Sequence, residues 1–258
     1  NDFNNNGGDQ QWSNSANWSL NAVPVASDVV GLPTLIASLV NIDVTVKKIQ
    51  TTFATAGSNP GGTVNISGDN LLTIDVSANP GTGIENASNN NAILSFNGNV
   101  TINNSIATGF KNTLMNHANG SDNIIQFSEG SVLTLNTPLE ARSNSGGTYI
   151  FDGVLAGSGT LRFSANTNIT FGADSDNSGR TGDFVWVGQN SVVTVNTADN
   201  EVFIPNGQKI QSNAENCSIV INGANVYRGN IGVDAARVLT FSTNKNQNSM
   251  GEIQFTGS

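Results

Sequence analysis

The segment Asp174-Ser175-Asp176-Asn177-Ser178-Gly179 has the clearest metal-binding chemistry in this chain of 258 residues. Carboxylate and hydroxyl oxygens at alternate positions, followed by a glycine that permits a sharp bend, form the opening half of a calcium-binding loop. The twelfth position, where such a loop needs Glu, is Val185. We therefore expect either a plain polar loop between two strands or a calcium site. The candidate calcium ligands are Asp174, Asp176, Ser178 and Asp183.

No residue of the chain is expected to be catalytic. A β-helix enzyme that cleaves polysaccharides needs a carboxylate pair, or a Lys or Arg base beside a metal. The sequence has no adjacent Asp-Asp pair, although carboxylates from different turns of a solenoid could still meet. The single histidine, His117, lies in a loop-like segment near Asp122, and the single cysteine, Cys217, lies in an apolar run. We expect a solvated histidine and a buried, unreactive cysteine.

Threonine and asparagine recur at matching places in several short segments and could form a regular surface array. If these segments stack as parallel strands, the side chains repeat about every 4.8 Å along the stack. A flat, uncharged array could bind ice or a polysaccharide, and the simpler alternative is a solvated sheet whose stacked side chains satisfy one another. The residues expected in such ladders are Thr101, Asn103, Thr134, Asn136, Thr194 and Asn196.

The elements that would position these residues are short strands with a four-residue pattern: apolar, variable, apolar, small polar. A period of two places the apolar pair on one face of each strand. The later copies begin 28, 32, 26 and 20 residues apart, which is typical of the turns of a solenoid with variable loops. The copies begin at Leu72, Leu94, Val100, Leu133, Leu161, Val193, Ile219 and Leu239.

These patterns predict an all-β, right-handed parallel β-helix, or β-solenoid, with an N-terminal cap and a single domain over residues 1–258. We expect Trp12 and Trp18, within the cap segment 1–30, to cover the open end of the core; the alternative is that their rings stack on sugars. No stretch has the 3.6-residue periodicity of an amphipathic helix. A β-sandwich of many short strands is the alternative fold.

Composition narrows the range of partners. Charged residues make up 11% of the chain, and 19 Asp and Glu against 10 Lys and Arg give a net charge of -9. We therefore expect neither nucleic acid nor membrane insertion, because phosphates attract clustered Lys and Arg and a span needs a long apolar run. The polarity comes from Asn, Ser, Thr and 28 glycines, which suit tight corners.

Two segments resemble parts of bacterial surface proteins. The stretch from Leu155-Ala156-Gly157-Ser158-Gly159-Thr160-Leu161-Arg162-Phe163 to Val193-Thr194-Val195 resembles the autotransporter-associated β-strand repeat of passenger domains. The opening Gly7-Gly8-Asp9-Gln10-Gln11-Trp12-Ser13-Asn14-Ser15-Ala16-Asn17-Trp18 is similar to the start of many adhesin-like β-helix proteins. This resemblance implies a right-handed parallel β-helix on the bacterial cell surface without catalytic residues of its own.

The sequence as a whole predicts a non-catalytic structural or adhesive module that is secreted or displayed on a cell surface. Its expected partners are copies of itself, adjacent solenoid modules, a glycan or a cell-surface receptor. We expect self-association into fibres at the strand around Ile253 and Phe255, because an open solenoid end leaves unpaired backbone groups. The alternative functions are a polysaccharide-binding or polysaccharide-degrading protein and an ice-binding protein.

Overall fold

The structure is a computed structural model that consists almost entirely of short strands. It describes residues 1–33, 36–51, 62–76, 82–86, 92–103, 113–116, 123–143, 146–186, 188–196, 202–204, 209–212, 217–222, 226–227, 230–233 and 239–243. One 3-10 helix, Ser15–Asn17, lies in the N-terminal segment. Within these ranges, no helix has the length and apolar character needed to cross a membrane.

Twenty-five strands follow one another over the described ranges. In chain order they are β1 (Val29–Leu32), β2 (Ala37–Val40), β3 (Val44–Val46), β4 (Lys48–Thr51), β5 (Gly62–Ile66), β6 (Leu71–Asp75), β7 (Thr82–Asn86), β8 (Ile93–Asn97), β9 (Asn99–Asn103), β10 (Thr113–Asn116), β11 (Ile124–Phe127), β12 (Val132–Leu135), β13 (Leu139–Ser143), β14 (Thr148–Phe151), β15 (Val154–Ala156), β16 (Leu161–Phe163), β17 (Asn168–Phe171), β18 (Phe184–Trp186), β19 (Val192–Val195), β20 (Val202–Ile204), β21 (Lys209–Ser212), β22 (Cys217–Ile221), β23 (Val226–Tyr227), β24 (Asn230–Val233) and β25 (Leu239–Thr243).

The strands wind into a stack of coils with three sides. Face 1 is the nine-stranded sheet β1-β4-β7-β10-β13-β16-β18-β21-β24, and face 2 is the nine-stranded sheet β2-β5-β8-β11-β14-β17-β19-β22-β25. Face 3 comprises the five-stranded sheet β3-β6-β9-β12-β15 and the pair β20-β23. Successive strands take successive faces, except between β17 and β18, where the third side has no strand. Every pairing between strands is parallel, as in β1 with β4 and β2 with β5. The protein is therefore a parallel β-helix, and the β-sandwich alternative is wrong.

The repeated four-residue pattern does not mark one face, so the spacing of its copies is not the length of one coil. The copy at Leu133 lies on face 3, the copy at Leu161 lies on face 1, and the copy at Val193 lies on face 2. The coil repeat is instead given by register partners, such as Leu139 with Leu161, which are 22 residues apart. The same pattern recurs on all three faces because each face turns its apolar residues towards one shared core.

A stack of four phenylalanines runs through the core beneath face 2. Phe96, Phe127, Phe151 and Phe171 are successive register partners and are all buried. Neighbouring ring centroids are 5.3, 5.7 and 5.5 Å apart, and the rings are inclined by 17°, 2° and 26°. Parallel strands without a register shift place like residues directly above one another, so each ring covers the next.

Close approach of successive coils requires glycine at some corners. Gly157 has φ +94°, and a Cβ added there would lie 2.2 Å from the backbone oxygen of Leu135 in the preceding coil. Gly130 also has a positive φ, +74°, but a Cβ there would have no neighbour within 4 Å. Substitution of Gly130 therefore tests the free-energy cost of a positive φ alone. Substitution of Gly157 tests that cost together with the cost of the contact between coils.

The phenylalanine stack predicts a large loss of stability when its middle is emptied. Phe127→Ala removes a buried ring that contacts rings on both sides, and we expect the free energy of unfolding to fall by about 3–5 kcal/mol. Gln126→Ala, one residue earlier on the outward side of β11, is the control and should change it by less than about 0.5 kcal/mol. Urea unfolding followed by circular dichroism checks both values. Equal effects of the two substitutions would contradict the stacked core.

The corner glycines give a second matched comparison. Gly130→Ala should cost about 1 kcal/mol, since alanine pays only for the positive φ. Gly157→Ala should cost at least about 2 kcal/mol, because alanine must also push apart two coils. Thermal unfolding of both variants beside the unchanged protein measures the difference. If Gly157→Ala is no more costly than Gly130→Ala, the tight coil contact does not exist.

Candidate functional site

The N-terminal segment covers the first coil with a cluster of three aromatic rings. Trp12 and Trp18 are both fully buried, their ring centroids are 5.0 Å apart, and the rings meet edge to face. Phe3 packs against Trp18 with a centroid distance of 5.1 Å. The indole N–H of Trp18 donates to the backbone oxygen of Trp12 at 2.9 Å. The two tryptophans therefore lie within the core and are not available to stack on a sugar.

The same segment also pairs with the backbone edges that the first coil would otherwise expose. Asp2 forms a parallel bridge with Gly31 of β1, and Gln11 forms one with Leu39 of β2. The Phe3 N–H donates to the Gly31 oxygen at 2.9 Å, and the Leu39 N–H donates to the Gln10 oxygen at 2.8 Å. Faces 1 and 2 are thus closed at this end against the strand pairing that open edges invite.

Asp9 organises the polar side of this cap. Its carboxylate accepts hydrogen bonds from the Gln11 backbone N–H at 3.1 Å and from the side-chain amides of Asn14 and Asn17 at 2.9 and 2.6 Å. These bonds, with that from Gln11 the largest cause, hold the pKa of Asp9 below its ordinary value. Asn17 is fully buried and also accepts from the Gly7 N–H at 2.8 Å. The polar residues of this opening segment therefore hold the cap together.

The predicted ladder residues lie on two different faces. Thr101 and Thr134 are register partners on face 3, where the Asn136 amide donates to the Asn103 side-chain oxygen at 2.8 Å. The other two ladder residues, Thr194 and Asn196, lie at face 2, where the Asn196 side-chain oxygen accepts from the Asn222 amide at 2.6 Å. Face 3 extends the threonine column to four with two residues that the sequence analysis did not single out. The complete column is Thr45, Thr73, Thr101 and Thr134.

Three of the four expected calcium ligands, Asp174, Asp176 and Ser178, lie along the third side of the sixth coil. Asp176 lies in extended backbone and bridges to Val154, and its carboxylate accepts from the Ser178 N–H at 2.8 Å. The Asp174 N–H donates to the Asp152 carboxylate at 3.3 Å. Among the described residues, which include Asp183, no group of three or more His, Cys, Asp or Glu side chains is placed to hold a metal ion. The segment pairs with the preceding coil through the Asp176 bridge, and calcium binding there stays a prediction.

Arg180 is a buried charge that the sequence analysis missed. Its guanidinium donates from Nη2 to the backbone oxygens of Gly159, Gly182 and Asp183 at 2.9, 2.9 and 3.1 Å. Its Cζ lies 4.2 Å from the ring centroid of Phe184. Burial lowers the pKa of Arg180 to about 9, and the Asp183 charge opposes that shift, so the group stays protonated at neutral pH.

The position of Arg180 indicates a structural role. Two of its three carbonyl partners belong to glycines, Gly159 and Gly182, in successive coils, and the Arg180 backbone bridges to Gly157. The side chain thus ties an irregular side of the sixth coil to the coils around it. The sequence signal was Gly179-Arg180-Thr181-Gly182, where small neighbours leave carbonyls accessible.

Three residues considered from the sequence cannot be placed. His117, Ile253 and Phe255 lie outside the described residues, so docking at the C-terminal strand stays a prediction. Cys217 is buried, with 1% of its surface exposed.

Comparison of the chain with protein-family models, with curated proteins and with solved structures gives no significant match. The fold and the named contacts are therefore the basis for any statement about function.

Arg180 generates a prediction about stability. Arg180→Met keeps most of the side-chain volume but leaves three backbone oxygens without their charged donor, and we expect a loss of about 2–4 kcal/mol. Arg142→Met is the control, since the Arg142 side chain is 55% exposed and should contribute less than about 0.5 kcal/mol. Chemical denaturation at neutral pH measures both. A neutral or stabilising Arg180→Met would contradict the bracing role.

Proposed function

We propose that this protein is a non-catalytic structural or adhesive module that works outside the cell or on its surface. The observation that carries the proposal is the continuous stack of parallel coils, closed at its N-terminal end by an aromatic cap. Such a stack is stiff because each coil pairs with the next along its faces, and it presents long, regular surfaces. A rod of this kind suits display and contact more directly than turnover.

The charged and polar contacts of the described residues also support a structural role. Lys48 and Glu85, on neighbouring strands of face 1, form an ion pair between coils. Glu140 lies beside Arg162 of the next coil at 4.0 Å. On face 2, the Asn97 amide donates to the Asn65 side-chain oxygen at 2.8 Å, again from one coil to the preceding one. These side chains join coils and do not converge on a cleft.

The aromatic residues whose burial is described do not favour glycan binding as the main function. Each aromatic side chain whose burial is described belongs to the core, including Tyr149 and Phe163. Stacking of rings on sugars is a principal way in which proteins hold neutral glycans, and buried rings cannot do this. The proposal therefore places adhesion on sheet faces and loops.

Ice binding is the second candidate, and the threonine column of face 3 is the observation that favours it. Four threonine side chains, each with one hydroxyl and one methyl group, repeat at the strand spacing of about 4.8 Å. The column ends at Ala156, and the neighbouring outward column contains Leu71 and Val132. The array is therefore short and irregular, which places ice binding behind the structural role.

The structural proposal predicts adhesion without turnover. Beads coated with the folded chain should cluster or attach to surfaces, whereas beads coated with heat-unfolded chain should not. Incubation with acidic and neutral polysaccharides should release no reducing ends above a buffer blank. Thermal hysteresis should equal that of an inert protein at the same concentration.

The outcomes of these measurements separate the candidates. Polysaccharide cleavage that disappears in Asp174→Asn or Asp176→Asn would replace the structural proposal with an enzymatic one. Thermal hysteresis abolished by Thr101→Lys would establish ice binding in its place.

A further inference from the structure

Face 2 differs from face 1 in its charge. None of its nine strands contains Asp, Glu, Lys, Arg or His, although the chain has 29 charged side chains. The strands of face 1, by contrast, contain six charged residues. These are Lys48, Glu85, Glu140, Arg142, Arg162 and Lys209. An uncharged sheet of this length in a protein of net charge -9 requires a physical explanation.

The outward side chains of face 2 are a mixture of hydroxyl, amide and aliphatic groups. Its central outward column runs Ala37, Thr63, Ser95, Gln126, Ile150, Thr170, Thr194 and Val220. In the outward column beside it, Ile93 and Ile124 are register partners, and Ile93 is 45% exposed. β-Branched side chains dominate this surface, as they do in sheets that pack face to face.

An acidic ridge borders face 2 on the side of face 3. Acidic residues occupy the corner between these faces in five of the first six coils: Asp43, Asp69, Glu129, Asp152 and Asp174. The corner on the opposite side of face 2 is uncharged where the structure describes it in later coils, at 146–147, 164–167 and 188–191. An anionic partner is therefore repelled along one border, and a cationic partner finds no charge to pair with on the face itself.

We propose that face 2 is the surface through which two copies of this chain pack side by side. This inference deepens the proposed structural role and rests on it, since it names the partner of the module as a second solenoid. Two uncharged faces can meet without burying an ion, which would cost several kcal/mol for each unpaired charge. Outward rows of Thr, Ile and Val on facing sheets interdigitate at a sheet separation of about 10 Å.

The size of face 2 allows a weak dimer. The eight strands from β2 to β22 extend about 34 Å along the solenoid, and the two outward positions on most of these strands give a width of about 13 Å. Each copy therefore offers roughly 450 Å², and the pair would bury roughly 900 Å², which is the size of a weak, transient interface. We expect a reversible dimer with a dissociation constant in the high-micromolar range.

The acidic ridge determines how the two copies are oriented. A two-fold axis that lies in the interface along the solenoid places the two ridges on opposite borders of the dimer. The ridges are then about 13 Å apart, which exceeds the Debye length of about 8 Å at physiological ionic strength. The antiparallel arrangement would bring both ridges to the same border. The dimer is therefore parallel, with both N-terminal caps at one end.

A pair of matched threonine substitutions tests this interface. Thr170→Lys places a charge in the central column of face 2, and Thr101→Lys places the same charge in the threonine column of face 3. Sedimentation equilibrium of the full chain should show a dimer that Thr170→Lys weakens by at least about tenfold, while Thr101→Lys changes it less than about twofold. Gln126→Lys, in the same column of face 2, serves as the second variant, and circular dichroism confirms that each variant is folded.

Each alternative outcome overturns the proposal. A folded chain that stays monomeric at about 1 mM has no side-by-side partner of its own kind. A dimer that is sensitive to Thr101→Lys but not to Thr170→Lys uses face 3. A monomer that sediments with insoluble chitin or cellulose, and loses this in Thr170→Lys, has a glycan as the occupant of face 2. The polysaccharide cleavage assay, repeated on Thr170→Lys, tests the structural role separately, because that role can survive without dimerisation.

Discussion

The constraint on which this structure depends is the parallel register that places each coil directly over the one before it. Backbone hydrogen bonds run along the stack, and the register is continuous through β8, β11, β14 and β17. This register restricts the inward side chains, because each must pack against its register partners in the neighbouring coils. The inward positions of face 2 therefore carry stacked phenylalanines. On the outside, amide or hydroxyl side chains form rows where register partners in neighbouring coils are of the same type.

Where one side of a coil has no regular strand, contacts made by single residues replace the missing strand pairing. The third side of the sixth coil has only isolated bridges at Asp176 and Arg180, and the Arg180 side chain joins backbone oxygens from two coils there. Burying this guanidinium costs solvation energy, which its carbonyl partners and the ring of Phe184 offset. The same logic explains the cap, where indole rings and an Asp9-centred network replace a preceding coil.

The all-β class, the solenoid and the cap could be predicted because alternation, turn residues and the two tryptophans are local signals. The assignment of strands to faces could not, since the pattern at Leu133 and at Leu161 is the same although the two segments face different sides. Calcium binding at Asp174, Asp176 and Ser178 stays a prediction, because spacing in a sequence does not distinguish a wound loop from an extended edge. Arg180 was missed because the glycines around it in the sequence do not show that its side chain also reaches the Gly159 oxygen of the preceding coil.

Because the hydrogen bonds between coils lie along the solenoid, tension between the two ends of the described chain acts along those bonds. One coil can then peel from the stack while the remainder stays paired, so the rod yields in steps and not in a single rupture. A coil such as that from Leu139 to Leu161 contains 22 residues and releases about 75 Å when extended. Extension under load is therefore expected to proceed coil by coil, with the remaining coils as the template on which a released coil can pair again.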